Sequence, residues 1–421
     1  MQAIISFRSA PRILGLLNRE AFLGFAWVPH FTSVINWTLR LGLGLLQQVV
    51  PIATPWLAII DHSIDIGTKK ALVVLRVPLA ALVIRGSAIC LEDCECVGLM
   101  IHDQIDGDTV AADLQTIFTQ AGLPTAIIKD GDYTLNKGVN LWQDKHDTVI
   151  PIIHDIGHAA ANVLKKEFED NGPFLRFIAM INQGAKCLRQ TDLAFLTPPK
   201  LRGKGRFMSI STLGKWAAKI IEALAIPKNH QSSPILAKLR EVLPGFSKLK
   251  RFVQRFADTT QVVARMLDIL KNKGLNHGTA EQCAQLLASL PNRSKVKKRL
   301  QSWLQDHLKI YTKLAENHSI NLSLLVSSDI IESLFGNFKH IIERSPQADM
   351  NRSTLLIPAL CGHLDAVVVK RALAQTRHHD LQTWEQANIP YTLRKKRQAF
   401  FATFGNKKIQ IPGKIPLKLA G

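Results

Sequence analysis

Three acidic residues lie far apart in the sequence at places where chemistry could use them. Asp61 closes the apolar run WLAII and Asp130 closes PTAIIK. Glu332 lies in SDIIESLFGNFK, where Ile331, Leu334, Phe335 and Phe338 recur at helical spacing. A fourth acid, Asp155, closes TVIPIIH. Carboxylates gathered at strand ends suit hard divalent cations such as Mg²⁺, which take oxygen ligands. Two such ions roughly 3.5–4 Å apart can activate a nucleophile and stabilise a leaving oxygen at a phosphodiester. Without a cation, the same carboxylates repel one another. Neighbouring acids compete for each role: Asp65 or Asp132 for the first two, and Asp329 or Glu343 for the third.

For these side chains to meet, the strands ending on Asp61 and Asp130 must lie side by side, with a helix packed across their ends. The sequence predicts that arrangement. WLAII, ALVVLRV and ECVGLMI read as three successive strands joined by short polar turns. DTVAADLQTIFTQAG reads as a helix stopped by glycine, PTAIIKD as a strand, YTLNKGVNLWQ as a short helix, TVIPIIHD as a strand and IGHAAANVLKKEFED as a helix. The order β-β-β-α-β-α-β-α is that of an α/β fold, a ribonuclease-H-like mixed sheet flanked by helices. Strand ends are where such sheets place chemistry. Residues 1–50 form a helical N-terminal segment and 51–171 the first part of the core. Residues 172–325 are a large, basic, all-helical insertion; 326–345 return to the core with Glu332, and 346–421 form a basic C-terminal region with interleaved aromatics.

The elements DHSIDIGTKKALVVL, KDGDYTLNKGV, HDIGHAAANVLKKEF and SDIIESLFGNFK, in that order, resemble the DDE transposases of bacterial insertion sequences. More broadly they look like the Mutator-like and hAT-like groups, whose ribonuclease-H-like core is split by a helical insertion before the last acid. The resemblance spans roughly residues 30–345. It implies metal-dependent DNA cleavage and 3′-hydroxyl strand transfer, with Asp61, Asp130 and Glu332 holding two Mg²⁺ or Mn²⁺ ions. It implies double-stranded DNA (element ends and target) as partner, and a homodimer or higher oligomer on that DNA. Asp155 and His158 match the D-x-x-H element of such families. His158 is then expected near the scissile phosphate as a further catalytic residue, with Asp155 capping its helix. Lys339, seven residues after Glu332, shares its helix face and is expected at DNA phosphate. Two other readings keep the same residues: a related ribonuclease-H-like nuclease, and a non-catalytic transposase-derived DNA-binding protein.

The chain has 53 Lys and Arg against 33 Asp and Glu, a net charge of +20 in 421 residues, which calls for a polyanionic partner. A membrane is the weaker candidate: the most apolar run, Ala71–Ile84, is interrupted by Arg76 and Pro78 and is shorter than the ~20 residues a spanning helix needs. No secretory signal is seen, and six cysteines fit a reducing compartment, the bacterial cytoplasm beside the nucleoid. Cys90, Cys94 and Cys96 with His102 do not have zinc-knuckle spacing and read as buried thiols. PHFTSVINWTLRLGL resembles the second helix of a helix-turn-helix, which would turn Thr32, Ser33, Asn36 and Arg40 toward a major groove. The alternative is a helix packed on the core through Val34, Trp37 and Leu41.

Overall fold

In the computed structural model, described over residues 4–20, 24–62, 69–200, 206–226, 234–318, 322–342 and 350–404, a five-stranded mixed sheet positions the acids. β1 (Trp56–Asp61), β2 (Lys70–Pro78) and β3 (Glu95–His102) pair antiparallel in succession. β4 (Ala126–Lys129) and β5 (Ile152–His154) add in parallel on the other side of β1. The order is β3-β2-β1-β4-β5, so β1 and β4 are neighbours at the centre.

The helices follow in chain order. α1 (Ser9–Glu20) and α2 (Phe31–Gln47) precede the sheet, and α3 (Leu79–Arg85) joins β2 to β3. α4 (Gly107–Ala121), α5 (Tyr133–His146) and α6 (Ile156–Phe168) follow β3, β4 and β5. Next come α7 (Gly172–Leu188), α8 (Ile210–Ala225), α9 (Pro234–Val242), α10 (Lys250–Lys273), α11 (His277–Ala288) and α12 (Lys295–His318). α13 (Asp329–Ile342) carries Glu332. α14 (Leu356–Ala359), α15 (Ala366–Gln375), α16 (His378–Asn388) and α17 (Leu393–Phe404) complete the described chain.

Both faces of the sheet are buried, which is why β1 and β2 read as nearly unbroken apolar runs. Alternation still sorts their side chains. Ala58, Ile60, Val74 and Ile127 pack with Leu114 and Phe118 of α4 and Leu135, Val139 and Trp142 of α5. Leu57, Ile59, Val73, Ile128 and Ile153 face the opposite way, into a core shared with α2, α6, α10 and α13. That core runs without a break into the helical region. Phe168 of α6, Phe174 and Phe177 of α7, and Phe252 and Phe256 of α10 form one aromatic cluster, with ring centroids such as Phe168–Phe256 at 5.1 Å.

Three local readings change. The expected β-β-β start is interrupted by α3, because Pro78 ends β2 and caps the helix that follows. The strand predicted over 148–155 shrinks to Ile152–His154: Pro151 lacks an N–H for a ladder, and Thr148 N donates to Gln143 O at the end of α5. The strand predicted over 124–130 likewise shortens to Ala126–Lys129, leaving Asp130 just past its end.

One side of α2 is packed against the C-terminal helices. It packs against α14, α15 and α16 through buried Thr38, Leu39, Gly42 and Leu43, while Trp37, expected in the packing face, is 39% exposed. Arg40, expected at DNA, donates from Nε to Thr376 O (2.6 Å) and from Nη2 to Leu373 O (2.5 Å), satisfying carbonyls at the end of α15. Asn36 pairs through Oδ1 with His378 Nδ1 at 2.8 Å. The sequence could not separate these faces, because an amphipathic helix that docks on a distant segment has the same periodicity as one that reads DNA.

Candidate active site

Strand alternation and register set the geometry of the acids. Ile60 is registered with Lys129, so Asp61 and Asp130 occupy the next position on adjacent parallel strands. Asp61 continues the series Leu57, Ile59, and Asp130 continues Ala126, Ile128. Both therefore fall on the face where α6 and α13 pack, as does Asp155 after Ile153. α13 lies against β1 and brings Glu332 in its first turn.

The acids influence one another electrostatically. Burial, reinforced by the charge of Asp130 and to a lesser extent of Glu332, pushes the Asp61 carboxyl up to about 7. Two hydrogen-bonding groups are provided by His62: its N donates to Asp61 Oδ1 (2.6 Å), and its Nε2 pairs with Asp132 Oδ1 (2.9 Å). Asp130 Oδ1 accepts from Asp132 N at 3.0 Å. Glu332 is half-exposed, and partial burial moves its carboxyl upward, offset in part by His158. His158 Nε2 stands 3.8 Å from Glu332 Oε1. Its hydrogen bond with Asp155 raises the imidazole to about 9, with further contributions from Asp130 and Glu332, so it is cationic at neutral pH.

Asp155 caps α6, accepting from His158 N at 2.7 Å and pairing with His158 Nδ1 at 3.1 Å. Its burial would raise its carboxyl, but these bonds and one from Ser328 N outweigh it and hold the group at about 2. Two of the rival acids have partners of their own, and Asp132 is linked to the site through His62. Asp132 caps α5, accepting from Thr134 N and Leu135 N. Asp329 pairs with Lys271 Nζ of α10 at 2.6 Å. Asp65 and Glu343 lie outside the described residues.

Three participants were missed in the sequence: His62, Ser328 and Lys271. His62 adjoins Asp61, and the pair Ser327–Ser328 ahead of an apolar-periodic run is a helix-start signal, so two of the three had one. Lys271 had none. Lys339 lies on α13, half-buried, two turns beyond Glu332. The cysteine segment carries no part of this site: Cys94 and Cys96 are buried thiols pushed up to about 12 by burial, and Cys90 is half-buried.

The donor set is chemically suited to a hard divalent cation: a buried carboxyl, Asp61, whose acidic neighbours disfavour its ionisation, is one whose charge a cation would stabilise. The spacing is more open than a ligand shell. Among the described residues, no three His, Cys, Asp or Glu side chains stand close enough together to hold a metal ion.

No protein-family model and no curated protein matches the chain. Among solved structures, the chain is similar to the Drosophila P element transposase strand transfer complex, with a TM-score of 0.41 and 13% identity over 87% of this chain and 89% of that one. A likeness that loose does not identify a family. No helix among the described residues is long and apolar enough to cross a membrane.

Proposed function

We propose that this chain is a DNA transposase with a ribonuclease-H-like core, acting on double-stranded DNA. What supports the reading is that Asp61 and Asp130 follow adjacent parallel strands and that α13, with Glu332 in its first turn, packs against β1. The strand order and the net charge of +20 support it.

Two phosphoryl transfers make up the reaction. In the first, the oxygen of water bonds to phosphorus at the element's end; the P–O3′ bond breaks, and the 3′-oxygen leaves as a hydroxyl after taking a proton. In the second, that 3′-hydroxyl gives up its proton as its oxygen bonds to a phosphorus of target DNA, and the target's P–O3′ bond breaks, its 3′-oxygen leaving as a hydroxyl after taking a proton. Asp61, Asp130 and Glu332 would hold Mg²⁺ or Mn²⁺, two ions in the full site, which supply Lewis-acid activation of water and phosphate when bound. His158, held as an imidazolium by Asp155, places positive charge beside Glu332 and suits a phosphate oxygen. Lys339, two turns beyond Glu332 on α13, would meet DNA phosphate, and the remaining basic surface would position DNA without reading its sequence. Two DNA ends require two active sites, hence a dimer or larger assembly.

A second reading, a transposase-derived DNA-binding protein without catalysis, is favoured by the open spacing of the acids. The test is incubation of the full chain with labelled DNA carrying candidate element ends and a supercoiled target plasmid, with Mg²⁺ or Mn²⁺. The transposase reading expects nicks at the element boundary and joined end–plasmid products. Binding without either product establishes the second reading; nicks without joining establish a nuclease.

A further inference from the structure

Asp155 is tied to more of the site than its own helix. It is 1% exposed. Its amide donates to Lys129 O (3.0 Å), the residue that immediately precedes Asp130. Its Oδ1 receives the backbone and pairs with the ring of His158 on α6. Its Oδ2 accepts from Ser328 N (2.7 Å) and Ser328 Oγ (3.1 Å), across 173 residues of sequence. Ser328 in turn receives Ile331 N (2.9 Å) at its carbonyl oxygen, so it starts α13, one turn before Glu332. A further backbone bond, Ile156 N to Val326 O (3.0 Å), runs alongside.

Resting on the function proposed above, we infer that Asp155 is a positioning residue: one buried carboxylate that locks the strand end carrying Asp130, the helix carrying His158 and the helix carrying Glu332 into a single register. An N-cap needs one oxygen. The second oxygen of Asp155 serves α13 instead, and a carboxylate can do this because both of its oxygens only accept. Asparagine would present an NH₂ to one of two sets of donors, so it keeps one link and breaks the other. Glu332 enters the site from a helix that follows more than 150 residues of inserted chain. Without such a tie, the placement of α13 would rest on apolar packing, the Ile156 N–Val326 O bond and the half-exposed Lys271–Asp329 pair, of which only the last two are directed.

The experiment is hydrogen–deuterium exchange on the full chain without metal, for wild type, Asp155→Asn and Ser328→Ala, alongside DNA nicking in Mg²⁺. Hydrogen bonds to a charged buried group give an expected rise in exchange at residues 326–334 of about tenfold to a hundredfold in Asp155→Asn, and less in Ser328→Ala. Exchange in α8 and in the Phe168–Phe256 cluster stays at the wild-type rate. Nicking falls in turnover by a similar factor with the KM for DNA unchanged, and Ser328→Thr, which restores the hydroxyl, recovers it. Unchanged exchange at 326–334 in both variants overturns the inference. Should Asp155→Asn fail to fold, Asp155→Ser takes its place, since its single oxygen can cap α6 but cannot also reach Ser328, and unchanged exchange at 326–334 in it overturns the inference. A wild type that never nicks removes the transposase reading while the exchange result still decides the tie.

Discussion

Replacing Asp61 with asparagine should make the metal-free protein more stable, and more so at higher pH. In the folded chain the carboxyl is carried from an ordinary 3.8 to about 7, chiefly by burial and then by Asp130. It therefore binds its proton more tightly folded than unfolded. Folding stability attached to this group is fully present below pH 3.8 and is lost as pH rises through 7. At 1.36 kcal/mol per pH unit, the loss is about 1–2 kcal/mol at pH 5 and about 4 kcal/mol at pH 8. Asparagine has no such proton and keeps an oxygen to accept from His62 N. The gap between variant and wild type should thus widen by about 2–3 kcal/mol between pH 5 and pH 8. Urea unfolding of both proteins across that range, in EDTA, measures it. Adding Mg²⁺ should stabilise wild type more than the variant, because only wild type retains all three acids. A gap that stays constant with pH would refute the reasoning: Asp61 would then be an ordinary strand-end carboxylate, solvated and uncoupled from Asp130.

Arg40→Ala should leave DNA affinity unchanged, by filter binding, while lowering stability by about 1.5–3 kcal/mol through the two carbonyls it abandons; a large loss of binding without loss of stability would restore the groove-reading role of α2. Gly42→Ala should also be damaging, since the added Cβ would run into Leu355 O and force α2 off the 352–355 segment. Overpacking of that kind costs about 1–3 kcal/mol or more, visible as a lower thermal midpoint, and a wild-type midpoint would show that the two elements separate freely. Binding of the full chain to DNA should weaken with salt at a log–log slope of about −0.9 per phosphate contacted, and a flat response would remove the basic surface as the DNA path.

Much of the frame was readable because its signals are local. β1 and β2 are apolar runs bounded by charged residues, and the glycine after α4 ends that helix where the sequence says it should. The strand-end positions of Asp61 and Asp130 were readable because these residues close such runs, and alternation alone carries both to the same face. What was not readable is long-range pairing. Nothing near Arg40 announces that its partners are Leu373 O and Thr376 O, and nothing near Lys271 announces Asp329, because each contact joins elements whose own patterns are complete without it. Asp155 shows both cases: its cap on His158 N is a local three-residue motif, whereas its bond to Ser328 exists only once α6 and α13 have packed.

The central claim is that Asp61, Asp130 and Glu332, rather than their acidic neighbours, perform DNA strand cleavage. The direct measurement is the nicking rate of labelled element-end DNA in Mg²⁺ or Mn²⁺ for Asp61→Asn, Asp130→Asn and Glu332→Gln beside Asp132→Asn and Asp329→Asn. The account predicts that each of the first three abolishes nicking while DNA binding persists, and that the last two retain measurable cleavage. Cleavage that survives in all of the first three would contradict it.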